Sequence, residues 1–123
     1  MASARDLLRT YLRYADWADT TLLAACTALS NSDLERDLGM SHGSILGTLR
    51  HTYLSDRAWC DRLLAGALPA LADIGAPELF SGTALSLSLA DLERYWPEIP
   101  ESLLHWLECT RRCWTCRHLS GLV

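Results

Sequence analysis

The stretch from Ser41 to Leu64, SHGSILGTLRHTYLSDRAWCDRLL, constrains the fold more than any other part of the chain. It contains no proline, and its apolar residues recur at helical spacing, so it reads as a helix covered on most sides. With successive residues about 100° apart around the axis, Arg50, Arg57 and Asp61 form one clear solvent stripe. Ile45, Leu49, Thr52, Asp56, Trp59 and Leu63 face roughly the other way. His51 falls between those faces, in line with Gly47, Leu54 and Ala58, and the spacing predicts partial burial for it. The helix starts near Ser41 or His42, with Ser44 as a competing cap, and ends at Gly66, a residue suited to the position after a helix. Gly43 and Gly47 each cost about 1 kcal/mol of helix propensity against Ala. A close backbone approach by another helix would justify them.

On the N-terminal side, Leu8, Tyr11, Ala15, Ala18, Leu22, Ala25 and Leu29 recur in steps of three and four, the seam of a first helix over about Ser3 to Leu29. Arg5, Arg9, Arg13 and Asp16 share a stripe turned away from that seam and read as a solvated face. Ser30-Asn31-Ser32-Asp33 marks a stop and turn, followed by a polar connection to Met40. From Ala67 to about Leu87, Pro69, Gly75, Pro77 and Gly82 punctuate a connection long enough to cross the end of a bundle. A third helix begins at Ser88, with Asp91 in the place of a capping-box acid, and its seam is Leu89, Leu92, Trp96, Ile99, Leu103 and Trp106. Pro97 and Pro100 predict a kink or break near Trp96 to Pro100, with a short helix resuming to about Glu108. After Glu108 the composition shifts to Cys and Arg, and no helical seam continues.

The 123 residues carry 50% apolar and 21% charged side chains, which places the chain among globular single domains. A net charge of −4 offers no basic footprint for phosphates, so nucleic acid is a poor partner. All eleven basic residues are Arg, which carries no functional weight. No apolar run reaches membrane-spanning length, and MASARDLLRT lacks the apolar core of a signal peptide, so a cytoplasmic location without membrane contact is expected. Cys26 and Cys60 stand alone on predicted helices and read as small apolar residues.

Taken together, Tyr14-Ala15-Asp16-Trp17-Ala18, then Ser41-His42-Gly43-Ser44-Ile45, then His51 followed by Asp56 and Trp59, resemble the DinB/YfiT-like family of damage-inducible four-helix bundles. The match is good over about residues 4–66 and looser over 84–108. The resemblance implies an all-α, up-down-down-up four-helix bundle with a long connection between the second and third helices. It also implies a divalent metal, commonly zinc or nickel, held by three histidines: one on the second helix and an H-x-x-x-H pair on the fourth. Small-molecule or thiol substrates follow, with thiol-dependent transferase or hydrolase chemistry. His51 matches the first ligand position. Histidines four apart share a helix face and reach one ion together, leaving positions open for water or a thiolate. This sequence has no H-x-x-x-H. The expected bundle is therefore incomplete, three helices over 1–108 plus an irregular Cys/Arg-rich tail over 109–123. The shift after Glu108 reads as a truncated or frame-shifted end, and the chain as inactive in that form.

Without the resemblance, His51 reads as a packed histidine bonded to a carbonyl. His42 reads as a capping or surface residue. His105 is a substitute ligand only if its helix faces His51, and otherwise sits at the rim. Asp56 either orients a histidine or water, or pairs with Arg13 or Arg9. In the tail, Cys109, Cys113, Cys116 and His118 are metal-competent side chains within ten residues, but they form half a zinc site at most. The competing function is non-enzymatic. Three helices cannot cover all of their own apolar seams, so a homodimer formed through the exposed seam is expected.

Overall fold

The computed structural model describes residues 1–65 and 86–119, with side chains described through Cys109. Among these the chain is all-α, as the sequence predicts. The helices are α1 (Ala4–Cys26), α2 (Asn31–Glu35), α3 (Ile45–Ala65), α4 (Leu89–Tyr95) and α5 (Glu98–Leu119). The core joins Leu23 and Cys26 of α1, Leu34 of α2, Leu46, Leu49, Tyr53 and Cys60 of α3, and Leu92, Trp96 and Ile99 around the α4–α5 junction. Helix α1 packs on α5 and α4, and α3 packs on α5, α2 and α4.

The caps explain where the elements begin. Ser3 and Ser88 each accept from the backbone N–H three residues on, while Asp6 and Asp91 return a bond to the cap backbone. Two amide donors that the helix leaves unpaired are satisfied at each site. Ser88 with Asp91 is the start expected from the sequence. Helix α4 ends at Tyr95, and α5 begins at Glu98 with Pro100 in its first turn, where a missing N–H costs nothing. The predicted break therefore stands, and the seam across it holds, with Leu92, Trp96 and Ile99 all buried.

Several expectations are corrected. Helix α5 does not stop near Glu108 but continues to Leu119, so the segment after Glu108 is helical to that point rather than irregular. Ser30 to Asp33 is not only a turn: Ser30 caps the short α2, whose Leu34 is almost wholly buried. On α1 the buried residues are Leu12, Leu23 and Cys26, whereas the predicted seam residues Leu8, Tyr11, Leu22 and Leu29 are exposed. The helix carries apolar side chains on two faces, and periodicity alone does not say which one the neighbours cover. The stripe read as solvated in fact turns partly inward, because Arg9 reaches α5 and bonds Glu108 at 2.7 Å.

On α3, Arg50 leaves the expected solvent stripe. Its side chain is only 17% exposed, bonding the Leu87 carbonyl and lying 3.7 Å from Glu35. Arg57 and Asp61 remain outside as a pair at 3.1 Å. The start of α3 is set by the competing cap, Ser44, whose Oγ accepts from Gly47 N–H at 3.0 Å. Gly43 precedes the helix, with a φ of 74° that favours glycine. Gly47 is needed because a Cβ there would run into the His42 carbonyl oxygen. The close approach is by the chain's own preceding turn, not by another helix. The long connection falls largely outside the described residues.

Leu92 has no exposed surface and sits between α1 and α3. We expect Leu92→Ala to lower stability by about 2–5 kcal/mol, measured as a shifted urea midpoint at unchanged cooperativity.

Candidate functional site

His51 is partly buried on α3, as the spacing predicts, and its carbonyl accepts from Ser55 Oγ at 2.9 Å. Its ring is stacked on that of His42, with centroids 3.8 Å apart and planes 17° from parallel. The turn before α3 produces this pairing: Leu38 N–H bonds the Gly43 carbonyl, Gly43 N–H that of Met40, and Ser44 N–H that of His42. His42 is thus an exposed residue, as expected, but one folded back onto the candidate ligand. Sequence reasoning treated the two separately, and the His42-Gly43 step, which lets the chain reverse, was the available signal.

A histidine nitrogen offers its lone pair in the plane of the ring. Two nearly parallel rings in face contact do not aim two lone pairs at one point, so His42 and His51 as arranged do not chelate a shared ion. Among the described residues no three His, Cys, Asp or Glu side chains form a metal-holding group. The described residues therefore do not fit the three-histidine centre. His105 is exposed on α5 with its Nε2 3.3 Å from Cys109 Sγ, its neighbour one turn on. The side chains of His118, Cys113 and Cys116 lie outside the described residues. Cys26 and Cys60 are buried free thiols, and burial pushes both of their pKa values up, in keeping with packing rather than reactivity.

A concave site lies elsewhere. A cavity of about 310 Å³ opens between α1 and α3 over the α4–α5 junction. Tyr11, Leu12, Asp16 and Asp19 form one wall, Thr52, Asp56, Trp59 and Leu63 the other, and Trp96, Ile99 and Leu103 the floor. Asp56 neither faces His51 nor pairs with Arg9 or Arg13. It accepts from Trp96 Nε1 at 3.3 Å, while Arg9 bonds Asp6 and Glu108. Burial raises the Asp56 pKa, and the Trp96 bond partly offsets that rise. Asp19 is pushed up to about 6 by burial first, then by the charges of Asp56 and Asp16. Asp19 was not singled out from the sequence. It lies on the α1 face that carries Leu12 and Leu23, and an acid there was the sign that this face is not wholly dry.

The fold and its cavity define an all-α helical bundle with one partly buried histidine on its second long helix, α3, and an acid-lined opening between α1 and α3. The family model described as "DinB family" matches residues 1–112 of this chain. The chain belongs to the DinB family. No curated protein and no solved structure matches it. Among the described residues, no helix is long and apolar enough to cross a membrane.

Asp19 titrates at about 6 in the folded chain against an ordinary 3.8. Between those values the native state holds a proton that the unfolded state has lost, so this group's contribution to stability falls as the pH rises through that window. We expect Asp19→Asn to be more stable than wild type at neutral pH, the difference closing below about pH 4. Urea midpoints of the two proteins across that range measure it.

Proposed function

We propose that this protein is a self-associating bundle descended from the metal-dependent transferases and hydrolases that the family resemblance implies, acting without a completed metal centre of its own. The observation that carries this reading is the apolar face of α1. Leu7, Tyr11, Tyr14 and Leu22 stand 49–65% exposed along it, and Trp17, 62% exposed, packs its ring near Tyr14 at one flank. Together with Ala18 and Ala25 these residues run in steps of three and four, the pattern of a helix that packs against another. Side chains of this size gain about 1.5–3 kcal/mol each on full burial. An antiparallel pairing of two copies would set Tyr14 of each near Ala18 of the other, and Tyr11 near Leu22, so that large residues meet small ones or each other's edges. Exposed apolar stretches of this extent are a mark of an interface.

Sedimentation of the wild type should show a dimer, and the double variant Tyr14→Glu with Leu22→Glu should be monomeric with unchanged helical circular dichroism. The substitution should weaken association at least tenfold, about 1.4 kcal/mol. A wild type that stays monomeric at all accessible concentrations would refute the reading.

The catalytic part of the ancestry rests on His51 alone, since the sequence contains no histidine pair four residues apart. Purified wild type and His51→Ala should both lack stoichiometric zinc or nickel by elemental analysis. Metal at one equivalent in the wild type, lost in the variant, would overturn this and restore the enzymatic reading.

A further inference from the structure

The cavity between α1 and α3 plays no part in that reading, and its walls have a chemistry of their own. Its volume of about 310 Å³ is that of a small-molecule site. Three of its lining side chains are aromatic, Tyr11, Trp59 and Trp96, and three are carboxylates, Asp16, Asp19 and Asp56. Among the described residues no Arg, Lys or His lines it. Three acids around one partly apolar space, with no cation among its described lining residues, is a costly arrangement that an occupant of opposite charge would relieve. A bare divalent ion does not suit the geometry, because these carboxylates do not converge into a metal-holding group. Aromatic side chains and separated carboxylates together suit an organic cation, whose hydrocarbon part packs on the rings while its charge meets the acids.

We propose that this cavity binds a small apolar amine, its ammonium group between Asp19 and Asp56 and its hydrocarbon part against Trp59 and Trp96. Binding strengthens as Asp19 ionises, because the acid then meets the ammonium as a full charge. The charged groups facing Asp19 are Asp16 on its own helix and Asp56 on α3, and the α5 residues of the floor, Ile99 and Leu103, carry no charge.

The test is calorimetric titration of the full chain with phenethylamine and with 2-phenylethanol, its uncharged counterpart. Each is added to wild type, Asp19→Asn, Asp56→Asn and Trp59→Leu. Tyr14→Glu with Leu22→Glu is included so that self-association does not mask the cavity. The expected result is one saturable amine site, with the alcohol at least tenfold weaker and each cavity variant at least tenfold weaker for the amine. Amine affinity should fall as the pH drops below about 6 in the wild type, and that fall should be smaller in Asp19→Asn, where only Asp56 still titrates beside the ammonium. Trp59 lies at the rim, so its variant keeps the test valid if a buried-side change disturbs folding. Equal affinity for amine and alcohol would overturn the proposal. So would no binding of either, or displacement of the amine by one equivalent of calcium.

Discussion

Trp96 is the residue on which the arrangement of this bundle depends. It ends α4, is almost wholly buried, and meets Tyr53 of α3 edge to face at 5.8 Å between ring centroids. Its indole N–H goes to Asp56, also on α3. A tryptophan buried this deeply needs a partner for that N–H, and the partner it finds is the partly buried carboxylate of Asp56. One side chain therefore fixes the α4–α5 corner against α3, supplies the floor of the cavity and keeps Asp56 turned towards it. The break at Pro97 matters for the same reason. It ends α4 where Trp96 lies flat in the core and restarts the chain as α5, so that Ile99 continues the same packed seam.

The parts of the fold that were legible in the sequence are those where local chemistry and burial point the same way. Ser88 with Asp91, the break around Pro97, the buried Cys26 and Cys60, and the Leu92-Trp96-Ile99 seam all belong to this class. In each, one short-range rule decides the outcome and tertiary packing agrees with it. The rotation of α1 was not legible, because the helix is apolar on more than one face. Leu12, Leu23 and Cys26 are buried because tertiary packing covers that side, with Leu23 and Cys26 joining the core shared by α2, α3 and the α4–α5 junction. Arg50 was misplaced for a related reason, since its long side chain passes over the surface to reach the Leu87 carbonyl, a partner thirty-seven residues away.

The candidate site divides in the same manner. Partial burial of His51 followed from its angle on α3, and family membership followed from motifs spread over α1 and α3. The stacking of His42 on His51 depended on a turn whose glycines at 39 and 43 take positive φ values, a backbone feature with no periodic signature. The pairing of Asp56 with Trp96 spans forty residues and two helices, so no spacing rule reaches it. Acids on an inward helix face are visible in a sequence only once the inward face is known. Misplacing the seam of α1 therefore also concealed Asp19.

The α1 face and the cavity wall meet at Tyr11, which is 65% exposed yet lines the cavity. A second copy laid along Leu7, Tyr14 and Leu22 would pass the cavity mouth on its α1 side and leave Trp59 and Leu63 open on the α3 side. The two surfaces are then neighbours rather than rivals, with Tyr11 shared between them. Tyr11 lines the same cavity as Asp16 and Asp19. Any pairing through α1 would therefore also touch the cavity wall at Tyr11.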